Sequence, residues 1–256
     1  MKVAIVGCGW LGLPLAKKLV SSGIKVYGTT TKKEKLDKLN KLGVEAYLFR
    51  GKVDLEDLQL THFHPDVAVI TIPPSGAIDY PDLILQLIEL LPSTCRIVFT
   101  SSIGVYEPTI DTVKEDGACL PDHPVLRAEE EIRKQAMGRS VILRLGGLFG
   151  AGRHPIAFLA GKKDLSQPKA AVNLVHLQDV IQAIGAIIWK HQSSGTYNLV
   201  FPDHPSKEDY YQEKAERMGL EKPVYKTDDT IGKIVVGDKI VKDFDFNYSH
   251  DLWTVF

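Results

Sequence analysis

Along the first 145 residues, short and almost uninterrupted apolar runs alternate with longer stretches in which apolar positions recur every three or four residues. The runs at 3–6, 25–28, 46–49, 67–71, 97–100 and 141–145 predict strands, and the segments at 10–23, 32–42, 79–91 and 125–137 predict helices between them. A strand that is apolar on both faces has to be covered on both, and an intervening helix permits the parallel connection. The expected fold class is therefore α/β, with a doubly wound parallel sheet.

After Gly150 the pattern breaks into smaller pieces: a helical run at 177–189, the strand-like GTYNLVF at 195–201, a helix at about 206–218 and a polar tail with short β-like segments. That is too little for a second full α/β domain. It predicts a first domain at 1–150 and a small C-terminal, substrate-side cap at 151–256, of which about 172–200 packs back on the core.

The first strand runs straight into three glycines and then into a helix, in KVAIVGCGWLGLPLAKKL. At such a junction Gly7 permits the turn, Gly9 lets backbone approach a pyrophosphate, and Gly12 lets the helix pack closely on the strand. The amides of Trp10 and Leu11, at the helix start, then face the phosphates. Glycines here also serve plain turn chemistry, but their place at the head of a βαβ unit points to dinucleotide binding and a Rossmann-type sheet. Thr71 and Pro73, in TIPPS (71–75), end the fourth strand on the carboxyl edge where ligands of open α/β sheets bind. The two prolines also read simply as strand stops.

A formal net charge of −1, with both signs spread along the chain, offers no broad basic field for nucleic acid or an anionic membrane. The partner expected is a small molecule, and oligomeric state is left open. Three cysteines without a CxxC pair read as reduced thiols, and the N-terminus has neither a signal h-region nor a span, so a cytoplasmic location is expected.

Cofactor choice turns on the end of the second strand. NAD-preferring sheets place Asp or Glu there for the ribose hydroxyls, whereas this chain reads KVYGTTTKKEK, with Thr30, Thr31 and Lys32. Hydroxyls and ammonium groups attract a 2′-phosphate that a carboxylate repels. The expected cofactor is NADP(H), ahead of NAD(H). In the plainer reading Thr31 caps the next helix and the lysines are a solvated face.

TSSIGVY, LRLGGLFGAGRHP, NLVHLQDV and GTYNLV, in that order after a glycine-rich start, give a chain that resembles the extended short-chain dehydrogenases/reductases of the NAD-dependent epimerase/dehydratase group. RLGGLFGAGRHPIAFLAGK followed by VNLVHLQDVIQAI is most similar to the atypical YeeZ-like subgroup. The resemblance implies a Ser or Thr at the end of the fifth strand and a YxxxK pair on the next helix, the Tyr acting as acid/base. The serine falls on Ser102. The Tyr and Lys are missing, because the segment reads LPDHPVLRAEEEIRK. One ungapped register sets His123, Arg127 and Glu131 against the family's Tyr, Lys and a following Glu. Against that, Pro124 biases His123 out of the helix, towards a plain loop role. Tyr106 is the other conceivable acid/base. A literal YxxxK at Tyr210 and Lys214 lies on a later, charge-rich helix and is expected to be a solvated coincidence. Val6 stands where the family has glycine.

Arg144, Arg153 and His154 are candidates for an anionic substrate or for loop packing, and Asn173, His176 and Asp179 for a substrate-facing or helix-supporting role. Three functions remain open: an NADP(H)-dependent oxidoreductase or epimerase acting on a small hydroxyl, carbonyl or nucleotide-sugar compound; a non-catalytic NADP(H)-binding redox sensor lacking the Tyr–Lys pair; and a Rossmann enzyme of the hydroxyacid dehydrogenase kind. SSIGVY and NLVHLQDV weigh against the last.

Overall fold

The computed structural model describes residues 1–74, 79–190 and 194–254, so Ser75, the last residue of TIPPS, lies outside the described residues. In chain order the elements are β1 (Lys2–Val6), α1 (Gly12–Ser21), β2 (Lys25–Thr30), α2 (Leu36–Lys41), β3 (Val44–Leu48), α3 (Leu60–Phe63), β4 (Val67–Ile70), α4 (Tyr80–Glu89) and β5 (Arg96–Ser102). They continue with β6 (Thr112–Val113), α5 (Pro124–Gln135), β7 (Ser140–Leu145), β8 (Gly147–Phe149), α6 (Ile156–Leu159), β9 (Leu174–His176), α7 (Leu177–Trp189), β10 (Gly195–Leu199), α8 (Lys207–Arg217), β11 (Ile234–Val235) and α9 (Asp238–Phe244).

Seven strands form one sheet in the order β10-β7-β5-β4-β1-β2-β3, and the pairings of β1 with β2 and β4, of β2 with β3, and of β4 with β5 are parallel. The strand order turns back beside β1, so the ends of β1 and β4 open the switch point at which such sheets bind ligands. The apolar runs explain the layering. All four residues of β4 are buried, and α1 turns Leu15, Ala16 and Leu19 inward, its apolar residues recurring at helical spacing. Local sequence sets the helix starts: Asp79 accepts from the Asp82 amide at the head of α4, and Ser206 accepts from the Asp209 amide at the head of α8.

Contacts divide the chain into two units whose segments interleave. The first comprises Met1–Val105, Leu120–Leu143 and Ile184–Thr196, and the second Tyr106–Cys119, Arg144–Ala183 and Tyr197–Phe256. Within the second, β6 pairs with β11 and β8 with β9, both parallel, and a core gathers Phe149, Ile156, Val172, Leu174, Tyr210 and Leu252. One expectation is corrected here. Helix α8 is charge-rich, yet Tyr210 and Lys214 are both fully buried, not solvated. Their polar atoms are satisfied by backbone far along the chain: Lys214 Nζ donates to the carbonyls of Leu252 (3.1 Å) and Thr254 (2.7 Å), and Tyr210 Oη to that of Leu252 (3.0 Å). Among the described residues, no helix is long and apolar enough to cross a membrane.

Candidate active site

The three glycines divide the labour expected of them. Gly7 adopts a φ of +109°, and a β-carbon on it would lie 2.9 Å from Ile72 Cγ2, so both backbone and space call for glycine. Gly12 is held closer still, since its β-carbon would come 2.1 Å from the Gly7 carbonyl oxygen. Gly9 is the opposite case: nothing lies within 4 Å of the place its side chain would occupy. The open space is therefore at the second glycine, where a pyrophosphate needs room. The loop is fixed from both sides, by the Gly7 amide donating to Thr29 Oγ1 (2.9 Å) and by Thr71 Oγ1 donating to the Gly7 carbonyl (2.7 Å). Helix α1 begins without a side-chain cap and without an acidic residue in its first turn, which keeps its positive end clear for an anion. These residues fit a dinucleotide.

Beside the loop, the ends of β2, β3 and β4 enclose a cavity of about 180 Å³ walled by Thr31, Phe49, Arg50, Ile72, Pro73 and Tyr80. Its apolar character suits a nucleobase. Thr31 and Pro73 were expected here. Thr30, by contrast, is 5 % exposed, and its Oγ1 accepts from the Lys32 amide at 3.3 Å, while Lys32 is exposed. Arg50 was missed. The Arg50–Asp54 pair is bidentate, Nη2 to Oδ1 at 2.8 Å and Nε to Oδ2 at 3.1 Å, and the guanidinium holds the Asp54 carboxyl below the usual range. The only signal in the sequence was FRGKVD directly after the third strand.

At the end of β5, Ser102 and His123 come together. A β-carbon on Gly104 would lie 3.2 Å from Ser102 Oγ and 3.9 Å from His123 Nε2. Ser102 Oγ accepts from the Gly104 amide at 3.0 Å. His123 is extended, as Pro124 requires, and caps α5: its Nδ1 accepts from the Val125 amide at 3.2 Å. Nδ1 being the acceptor, the neutral ring carries its proton on Nε2, the nitrogen that faces Gly104. Below this pair, Ser101 Oγ bonds the fully buried Glu129, which also takes Arg133 at 2.6 Å, tying β5 to α5. Arg127, one turn on from His123, is exposed.

The remaining candidates lie in the second unit. Tyr106 is 1 % exposed, donates to Asn198 Oδ1 at 2.6 Å, and lies under the Arg144 guanidinium. Burial raises its pKa. Asn173 bridges backbone, giving Nδ2 to the Lys233 carbonyl and taking the Val235 amide. Asp179 accepts from Ser249 and His250. His154 accepts the Ile156 amide on Nδ1 and meets Tyr210 Oη at 2.9 Å through Nε2. Burial pushes His154 and His176 down to about 4. A cavity of about 630 Å³ in this unit lies between Ile110, Val172, Leu174 and Ile231, with Lys207 and Lys233 on its wall.

Residues 2–138 match the family model of the NAD-binding domain of 6-phosphogluconate dehydrogenase. Protein YeeZ of Escherichia coli strain K12 is 37 % identical over 97 % of this chain and 96 % of its own. Among solved structures, MoeE5 in complex with UDP-glucose and NAD matches with a TM-score of 0.77 at 19 % identity, over 98 % of this chain and 95 % of that one. The ADP-L-glycero-D-manno-heptose-6-epimerase of Helicobacter pylori matches with a TM-score of 0.78 at 18 % identity, over 98 % and 92 %. The family model speaks for the dinucleotide-binding half alone, whereas the YeeZ match runs nearly end to end. The chain therefore belongs to the family of Protein YeeZ, and its residues 2–138 to the family of the NAD-binding domain of 6-phosphogluconate dehydrogenase.

Proposed function

We propose that this chain is an NADP(H)-dependent oxidoreductase or epimerase that acts on a hydroxyl or carbonyl group of a small molecule, a nucleotide sugar foremost, in the cytoplasm. The observation that carries the reading is that Ser102 Oγ and His123 Nε2 both lie within 4 Å of the place a β-carbon on Gly104 would take, at the carboxyl end of β5. The dinucleotide, held by Gly7, Gly9, Trp10, Leu11 and Gly12 with Thr71 and Pro73 alongside, supplies hydride transfer. The first 150 residues take the cofactor and 151–256 the substrate side, where two lysines on an apolar cavity suit a nucleotide's base and phosphates.

His123 replaces the family's tyrosine in a particular way. Its Nδ1 is committed to the Val125 amide, so Nε2–H is a fixed donor. A fixed donor polarises a carbonyl oxygen and stabilises the charge that grows on it, with Ser102 as second donor. To accept a proton from an alcohol instead, the ring must shift its hydrogen to Nδ1 and give up the cap. In carbonyl reduction the ring can likewise hand Nε2–H to the alkoxide only as Nδ1 takes up a proton and leaves the Val125 amide, so proton transfer in either direction is coupled to that cap.

A binding protein without turnover is the second reading, and the commitment of Tyr106 to Asn198 favours it. The test is a screen of carbonyl compounds and sugar nucleotides for NADPH oxidation, repeated with Ser102→Ala and His123→Ala. Loss of turnover of roughly 10²-fold in each, with cofactor affinity kept, is expected for one well-placed polar group. Full activity in both variants would refute this assignment.

A further inference from the structure

We propose that Arg50 is the residue that reads the 2′-phosphate of NADP(H), a role the sequence pattern assigned to the end of the second strand. The inference rests on the dinucleotide reading given above and deepens it.

The shared cavity makes the case. Thr30 of β2 pairs with Leu48 of β3, which carries Thr31 out beside Phe49 with Arg50 the next residue on, and Thr31, Phe49 and Arg50 wall the same 180 Å³ cavity. The place at which a Rossmann sheet carries its ribose-reading carboxylate is thus occupied by a hydroxyl from β2 and a guanidinium from the neighbouring strand. Asp54, 4 % exposed, holds that guanidinium by Nε and Nη2 and also accepts the Arg50 amide. Among the described residues, Nη1 has no hydrogen-bond partner. A planar fork fixed on one edge and unbonded on the other gives up little conformational freedom when it meets an anion. Lys52, two residues on, is paired with Asp82 of α4, which ties the same turn down from the other side. Phe49, Ile72 and Tyr80 supply the apolar surface that a nucleobase needs, so Arg50 is the cation on the wall of an otherwise base-shaped slot. A 2′-phosphate brings roughly two negative charges to that cation, whereas a 2′-hydroxyl brings none.

The experiment is calorimetric titration of the full chain, wild type, Arg50→Gln and Arg50→Lys, with NADP⁺ and with NAD⁺. No substrate or turnover is needed. Weakening of NADP⁺ by at least about tenfold in Arg50→Gln, with NAD⁺ changed by less than about twofold, is expected, and Arg50→Lys should fall between because it keeps the charge and loses the fork. Equal weakening of both cofactors would assign Arg50 to the base or to the turn and overturn the inference, as would no change in either. Wild type that binds NAD⁺ alone overturns this inference and leaves the dinucleotide site standing; wild type that binds neither overturns both. If Arg50→Gln does not fold, the NADP⁺-to-NAD⁺ ratio in Arg50→Lys decides the matter in the same way.

Discussion

Ser102 Oγ and His123 Nε2 both border the space over one α-carbon, that of Gly104, at 3.2 and 3.9 Å from the place its β-carbon would take. A methyl group there would press on Ser102 Oγ at 3.2 Å, and the φ of Gly104 is one that alanine adopts. Gly104→Ala should therefore fold normally and lower turnover by about tenfold, of the order expected for a misplaced donor. Steady-state kinetics beside a thermal melt checks both halves.

The glycine loop predicts opposite outcomes at two positions three residues apart. Gly9→Val should leave the melting temperature near wild type and abolish dinucleotide binding, because the branched side chain enters open space. Gly12→Ala should instead unfold or strongly destabilise the chain, since its β-carbon would sit 2.1 Å from a backbone oxygen. Circular dichroism melts and cofactor titration separate the two.

Acid should destabilise the fold through two buried histidines. His154 and His176 titrate at about 4 in the folded chain, below the 6.5 of an unhindered imidazole. A depressed histidine pKa means that the unfolded chain binds more protons below 6.5, so stability falls as pH drops from about 6.5 towards 4 and is flat above it. Between pH 7.5 and 5 the loss should be of order 1–2 kcal/mol for each ring. Urea melts across that range measure it, and a flat profile would contradict it.

Tyr210→Phe should cost roughly 1–3 kcal/mol of stability, because the hydroxyl links His154 to the Leu252 carbonyl inside the core. NADP(H) affinity should not change, which separates a structural tyrosine from a reactive one. Equilibrium unfolding and calorimetry give the two numbers.

How much of this was legible in the sequence depended on the range of the interaction. The sheet strands announce themselves as apolar runs, and Gly7, Gly9 and Gly12 are local geometry written in consecutive residues. Pro124 predicted that His123 would leave the helix; it did not predict that the displaced ring would cap α5 and turn Nε2 to Gly104. Lys214 was read from the charges of its own helix, whereas its partners are carbonyls at 252 and 254. Arg50 was invisible for a related reason: its significance arises only when β3 lies beside β2, a relationship between segments that no window of sequence contains. The two-residue strands β6 and β11 owe their existence to each other and carry no periodicity to read.

The interleaving of the two units sets a schedule for biosynthesis. When residue 143 leaves the ribosome, the first unit still lacks its last stretch, Ile184–Thr196, and that stretch is translated only after most of the middle of the second. Domains usually mature one after another during translation, the earlier one complete before the next begins. Here the nascent chain has no such resting point, so the nucleotide-binding half waits, partly assembled, for residues that arrive some forty codons later.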